Sequence, residues 1–452
     1  MKKHNFSLST THIILLSFLS VILIGSLLLY LPISTQSGES VSYIDALFTS
    51  TTSTCVTGLV TLPTVSTWST FGHIVILVLI QIGGLGTITF MSAIMLLMRR
   101  KFSVHNRLLI QDAFNLNTMA GLVRFVKKVL FGTFIVELTG ALLYMIVFIP
   151  DFGVKGIWIS IFNSISAFCN AGIDIIGEVS LCDYATNPLI NLVTSALIVM
   201  GGIGYIVWWD IPYVMKKAKT QGIRCLKHLT LHSKLALFST AVLIFSGTAL
   251  FLILEYNNPL TIKDHSLFDK IQISFFQSVT TRTAGFASIP QENLTNPSAI
   301  VSLLLMFIGG SPTGTAGGIK TVTALILLAS AISTIKGKED TTLFQRTISK
   351  EALSKAVAVF TMSFIIMFTS AFLLSAVCDA SVIDIFYETV SATATVGLSR
   401  NLTASLNDIG KLIIILTMYL GRIGPISLAI AFKIRKKNEN LIKNPTEQIS
   451  VG

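Results

Sequence analysis

Four short stretches of this chain carry a glycine at one regular spacing. Gly58 lies in Thr-Cys-Val-Thr-Gly-Leu, Gly172 in Phe-Cys-Asn-Ala-Gly-Ile, Gly285 in Thr-Arg-Thr-Ala-Gly-Phe and Gly397 in Ala-Thr-Val-Gly-Leu, at intervals of 114, 113 and 112 residues. An aromatic stands ten residues before each (Phe48, Phe162, Phe275, Tyr387), and an apolar residue follows each (Leu59, Ile173, Phe286, Leu398). The chemistry open to such strands is cation coordination by backbone carbonyls. Four strands around one axis can replace a cation's hydration shell. Aiming successive carbonyls at that axis needs φ > 0, which glycine adopts without a Cβ penalty. The coordinating candidates are Val56, Thr57 and Gly58; Asn170, Ala171 and Gly172; Thr283, Ala284 and Gly285; and Thr395, Val396 and Gly397. No ring of acidic side chains stands at the glycine level, so carbonyls carry the selection. Carbonyl-only coordination favours a large, weakly hydrated ion, and Thr-Val-Gly is the core of potassium-channel filters. The ion indicated is K⁺, bound as cargo.

The elements that hold these strands must lie in a membrane. Of 452 residues, 52% are hydrophobic and 12% charged, against roughly 25% charged in a soluble domain. Apolar runs cover about 13–33, 71–98, 129–149, 188–209, 235–254, 299–333, 356–378 and 409–432, each matching the ~20 helical residues needed to cross a bilayer. The first run ends at Leu-Pro with no small-residue cleavage site and is read as a retained helix. The segment before each glycine is too short to span. Its flanking loops share one side, so it enters, turns and leaves as a re-entrant half-helix. Non-helical backbone at that depth is tolerated where it lines a watery cavity. Four surface helices are the simpler alternative, but surface loops need no glycine in register. The half-helices point their negative dipole ends inward, favouring a cation. Asp45 and Asp384, thirteen residues before their glycines, are placed to cap the opposite ends.

The fold class is therefore an all-α polytopic membrane protein. It has four repeats of spanning helix, pore loop and spanning helix, eight spans and four half-helices in all, with pseudo-fourfold symmetry around one pore. The repeats divide as 1–98, 99–215, 216–335 and 336–432, followed by a tail, 433–452. A net charge of +11 raises nucleic acid as a partner, but its distribution argues against that. Of the 33 Lys and Arg, 25 fall at the N-terminus (Lys2, Lys3) and in 99–128, 216–234, 336–355 and 433–443. These alternate with acidic segments, the positive-inside pattern that puts both termini in the cytoplasm. The cysteines show no metal or redox spacing. His228 and His232 have i, i+4 spacing but no third ligand.

A second glycine pattern follows each first one: Ile-Gly-Gly-Leu-Gly at 82–86, Met-Gly-Gly-Ile-Gly at 200–204, Ile-Gly-Gly-Ser-Pro at 308–312 and Leu-Gly-Arg-Ile-Gly-Pro at 420–425. Small residues there allow close helix approach. The third copy continues through Gly309, Gly310, Ser311, Pro312, Thr313, Gly314, Thr315, Ala316, Gly317 and Gly318 to Lys320. Helix cannot persist through five glycines and a proline. This stretch is expected to bulge into the cavity below the strands as a gate, or to serve only as a hinge. A phosphate-binding loop is excluded, because Ile319 separates Gly318 from Lys320. Arg422 stands inside an apolar helix, where ionisable residues are functional by default. Arg282 is expected either to pair with Glu388 or to snorkel to the outer surface; Glu137 has no evident role.

The four glycine motifs, QIGGLG and GRIGP together resemble the membrane subunits of bacterial Ktr potassium-uptake systems, within the Trk/Ktr/HKT superfamily, from about residue 10 to 435. The resemblance implies K⁺ uptake across the bacterial plasma membrane, an intramembrane gating loop at 309–320 and an arginine, here Arg422, facing it. It implies a homodimer with one pore per subunit, docked on a cytosolic ring of nucleotide-binding RCK-type regulatory subunits. The nucleotide would bind the ring and not this chain, no covalent cofactor is implied, and Na⁺ would stimulate uptake. Gly58, where sodium-preferring relatives often carry serine, supports potassium. The competing reading within transport is a Na⁺-selective or poorly selective cation path. A receptor has no use for four such loops. An intramembrane enzyme lacks its signatures here, with no His-Glu-x-x-His, Gly-x-Ser-x-Gly or paired membrane aspartates.

Overall fold

The computed structural model describes residues 10–36, 41–98, 108, 110–111, 121–216, 222 and 227–424. The first unit has a long helix α1 (Thr10–Tyr30), a short helix α2 (Tyr43–Cys55) and a second helix in two pieces, α3 (Thr70–Leu85) and α4 (Thr87–Leu97). The second repeats this plan as α5 (Leu122–Phe152), α6 (Lys155–Cys169), α7 (Pro188–Gly202) and α8 (Tyr205–Met215). The third has α9 (Leu231–Glu255), α10 (Leu267–Thr280), α11 (Asn296–Phe307) and α12 (Thr321–Ile335). A two-residue hairpin, β1 (Thr342–Leu343) against β2 (Arg346–Thr347), leads to the fourth: α13 (Lys350–Ser375), α14 (Val382–Ala394) and α15 (Asp408–Ile423).

The four long helices have the length and apolarity of membrane spans. Two of the second helices depart from the continuous spans expected at 71–98 and 188–209, and the third, 299–333, is broken where its glycines forbid helix. The first bends by 103° and the second by 98°, and the third is interrupted between Phe307 and Thr321. The run at 409–432 is helical to Ile423, and residues beyond Gly424 lie outside the described part. The two bends fall at Gly86 (φ 84°) and Gly204 (φ 95°), and α15 ends at Gly424 (φ 85°), in a region that a side chain resists. The second glycine pattern is thus a helix breaker as well as a packing surface.

The units form a closed ring. Each long helix packs on the short helix of its own unit, α1 on α2, α5 on α6, α9 on α10 and α13 on α14. Each second helix also packs on the short helix of the next unit: α3 on α6, α7 on α10, α11 on α14, and α15 back on α2. In three units the long-to-short contact is the same. Ser50, Ser164 and Ser278 donate to the carbonyls of Ile22, Glu137 and Ile244 at 2.7, 2.6 and 2.8 Å. Gly25, Gly140 and Gly247, one turn on, leave the room for that approach.

The register slips by one residue in the third unit. Phe48, Phe162 and Tyr387 are fully buried as expected, but there the fully buried aromatic is Phe276, and Phe275 is only partly buried. Helix α10 ends five residues before its glycine, whereas the other short helices end three before, so its face is rotated by one position.

Candidate functional site

The short helices are started by serine, not by the aspartates. Ser42, Ser266 and Ser381 accept from the backbone N–H of Asp45, Asp269 and Asp384, and their hydroxyls donate to the same carboxylates. This reciprocal arrangement corrects the expectation that Asp45 and Asp384 cap directly: they stand at the third helical position. Their free oxygens pair with Lys411 and Arg400, each at 2.7 Å. Helix α6 starts without a side-chain cap.

At the other end of each short helix the chain turns left-handed before a side chain expects it. Val56, Asn170, Thr283 and Thr395, each two residues before its glycine, have φ of 55°, 60°, 67° and 51°. The glycines follow with φ of 97°, 63°, 84° and 99°. Positive and negative φ thus alternate along each strand. The four strands meet at one axis. A methyl on Gly58 would lie 2.5 Å from the Ala171 carbonyl oxygen, one on Gly172 2.6 Å from that of Ala284, and one on Gly285 2.5 Å from that of Val396. One on Gly397 would strike the Thr57 oxygen. Each glycine therefore faces the carbonyl of the next unit, in a ring that closes on itself.

Hydroxyls on the short helices hold these strands, and sequence reasoning passed over them. Thr52 accepts from the Gly58 N–H at 3.0 Å and Ser391 from the Gly397 N–H at 2.9 Å. Ser166 donates to the Ile173 carbonyl and Thr280 to that of Phe286. The available signal was a Ser or Thr six residues before three of the glycines and five before Gly285.

The stretch 308–320 is a non-helical loop lying against the strand ends. Ile308 and Ile319 form a parallel bridge at its base. Its N–H groups at Ser311 and Thr315 donate to the carbonyls of Gly202 and Gly201, and the Tyr205 N–H donates to the Thr313 carbonyl. Thr315 Oγ1 donates to the Phe168 carbonyl at 3.1 Å. A methyl on Gly317 would overlap Thr395 Oγ1, so the loop sits directly under the fourth strand. Lys320 curls back and donates to the carbonyls of Ala316 (2.6 Å) and Gly317 (3.4 Å). Arg422 donates to the carbonyls of Thr315 and Gly83.

Two cavities flank the strands. One of about 320 Å³ is lined by all four glycines together with Asp174, Glu178 and Glu292. The other, of about 350 Å³, is lined by Lys320, Arg422, Thr393 and Tyr205 along with the loop. Among the described residues no group of three or more His, Cys, Asp or Glu could hold a metal ion.

The buried charges sit otherwise than expected. Arg282 neither pairs with Glu388 nor reaches the surface. It is buried beside Thr240, to which Nη2 donates at 3.4 Å, and lines a small void with Gly202 and Gly310. Glu388 is fully buried and accepts from Ser399 and Thr403 instead. Glu137 gains a partner in Gln81, whose amide donates to both carboxylate oxygens at 3.1 and 3.3 Å.

The chain matches the family model described as TrkH, cation transport protein, over residues 2–444. It is 39% identical over 441 residues to the Ktr system potassium uptake protein B of Bacillus subtilis, covering 97% of this chain and 96% of that one. It is 40% identical over 451 residues to the potassium/sodium uptake protein NtpJ of Enterococcus hirae, covering 98% of both. Its fold is similar to the crystal structure of the potassium transporter TrkH from Vibrio parahaemolyticus, with a TM-score of 0.75, 17% identity, and 96% of this chain and 86% of that chain covered. The chain belongs to the TrkH family of cation transport proteins, which are transporters and not enzymes.

Proposed function

We propose that this chain takes up potassium across the plasma membrane through a filter of backbone carbonyls at Val56–Gly58, Asn170–Gly172, Thr283–Gly285 and Thr395–Gly397. The closed ring in which each glycine faces the next unit's carbonyl carries this reading. K⁺ binds there as cargo. Carbonyl dipoles replace its water, and the short-helix carbonyl ends add negative potential. The acid-lined cavity is the entry, since three carboxylates with no basic side chain among the lining residues concentrate cations. The short helices enter from outside, and both termini are cytoplasmic, following the basic loops.

The loop 309–320, with Lys320 and Arg422, is the gate, because it lies under the fourth strand and places two cations in the path. The units divide as 1–98, 99–215, 216–335 and 336–432. The tail 433–452, outside the described residues, joins the basic inner loops as the docking face for a cytosolic nucleotide-binding ring. The working unit is a homodimer with one pore per subunit, and Na⁺ stimulates uptake. A second reading, transport of Na⁺ beside K⁺, is favoured by the likeness to a protein named for uptake of both ions.

The deciding experiment is rubidium and K⁺ uptake into proteoliposomes, with and without Na⁺ and the ring. K⁺ uptake that Na⁺ stimulates without competing supports the first reading. Equal accumulation of Na⁺ supports the second, and no cation flux under any condition refutes both.

A further inference from the structure

The residues that follow the four fully buried aromatics are Thr49, Asn163, Gln277 and Glu388, so only the fourth short helix carries a carboxylate there. Glu388 is 0% exposed, and the two hydroxyls that satisfy it come from the segment just after the fourth glycine. Ser399 donates to one oxygen at 2.8 Å and Thr403 to the other at 2.5 Å. Between them, Arg400 donates from Nε to Asp384 and from Nη1 to the Gln291 carbonyl of the third unit. The chain leaving Gly397 is thus held at both ends of one turn by carboxylates of the helix that precedes it. In the third unit the buried amides of Gln277 and Gln291 bond to each other at 2.7 and 3.2 Å, a neutral counterpart; among the described residues only the fourth unit builds this clasp on a carboxylate.

We propose that Glu388 is a specificity-determining positioning residue, which fixes the exit of the fourth strand from behind and so sets the preference for K⁺ over Na⁺. This rests on the reading of Thr395–Gly397 as a coordinating strand. A carbonyl selects among monovalent cations by how firmly it is kept in place, since a strand free to move inward can follow a smaller ion. Each carboxylate oxygen accepts one hydroxyl hydrogen. An amide in its place presents donors to one of those hydroxyls, which must turn, and the clasp keeps one arm. Buried polar groups whose partners are removed are strongly unfavourable, so the strand shifts to restore them.

The test is K⁺ uptake against rising external Na⁺ in a K⁺-uptake-deficient strain, with membrane levels checked for every variant. Glu388→Gln and Thr403→Val are each expected to narrow the K⁺/Na⁺ preference by about tenfold, equivalent to ~1.4 kcal/mol. The double variant is expected to be no worse than either single change, because both break one clasp. Gly397→Ser serves as the control for the strand itself. If it shifts the preference while Glu388→Gln and Thr403→Val do not, the clasp is overturned and the filter stands. If it leaves the preference unchanged, the filter reading fails first. A lower uptake rate with unchanged preference in the Glu388 variants, at normal membrane levels, would mark a merely structural brace and likewise overturn the proposal.

Discussion

Arg422 Nη1 lies 2.6 Å from the Thr315 carbonyl oxygen, joining the last described helix to the middle of the 308–320 loop. The same guanidinium reaches the Gly83 carbonyl at the bend of the first unit's second helix. In the repeat pattern Arg422 stands where the other units have Gly84, Gly202 and Gly310. One side chain therefore ties the loop to the first and fourth units across the axis. Hydrogen bonds from a charged donor are worth ~1.5–3 kcal/mol each. Arg422→Ala is expected to raise basal K⁺ flux about tenfold or more and to weaken its dependence on a regulatory partner. Shortening 311–317 is expected to act in the same direction. Flux and regulation that stay at wild-type values in both variants would reduce the loop to a hinge.

Substitution of Gly58 tests the axis from the first unit. A Cβ there resists the observed φ of 97° by ~1–2 kcal/mol and meets the Ala171 carbonyl. Gly58→Ser is expected to raise the apparent KM for K⁺ and to narrow the preference over Na⁺ while the protein still inserts. Serine at Gly172, Gly285 or Gly397 is expected to do the same, because each glycine faces a neighbour's carbonyl. Uptake against external K⁺ reads the effect, and four variants with normal affinity and Na⁺ exclusion would remove the coordinating role.

The strand-holding hydroxyls give a milder perturbation. Ser391→Ala removes the acceptor of the Gly397 N–H, and Thr52→Val that of the Gly58 N–H. Each loses a buried hydrogen bond worth ~0.5–1.5 kcal/mol. A several-fold loss of K⁺ affinity is expected at unchanged membrane levels, with Thr52→Ser close to wild type. An equal loss in Thr52→Ser would point to packing of the methyl group instead of the hydroxyl.

The basic segments proposed to face inward are expected to recruit the proposed regulatory partner through charge. Reversal at Lys216, Lys217 and Lys219, the last two outside the described residues, is expected to reduce co-purification with a regulatory ring. Binding of the wild-type chain is expected to weaken as salt rises, since rim charges act mainly through screened attraction. Co-purification that ignores both the reversal and the salt would exclude this segment from the docking face.

Much of this molecule was legible in the chain because it depends on local rules repeated four times. Hydrophobic runs of spanning length required membrane helices. The interval of 112–114 residues required four copies of one unit. Glycine density at 309–320 forbade helix, and glycine at 58, 172, 285 and 397 announced backbone of positive φ, because only local sterics enter those decisions. What the tertiary structure alone decided lies in contacts between elements. Gly58 faces Ala171 rather than its own strand, Arg422 chooses the carbonyls of Thr315 and Gly83, and Glu388 turns to Ser399 and Thr403 instead of Arg282. The one-residue slip of the third unit, which buries Phe276 in place of Phe275, also follows from how the helices nest. Such partners lie up to hundreds of residues apart, and no periodicity specifies them. They are chosen when the ring closes and each buried polar group takes the nearest partner that the low-dielectric interior offers.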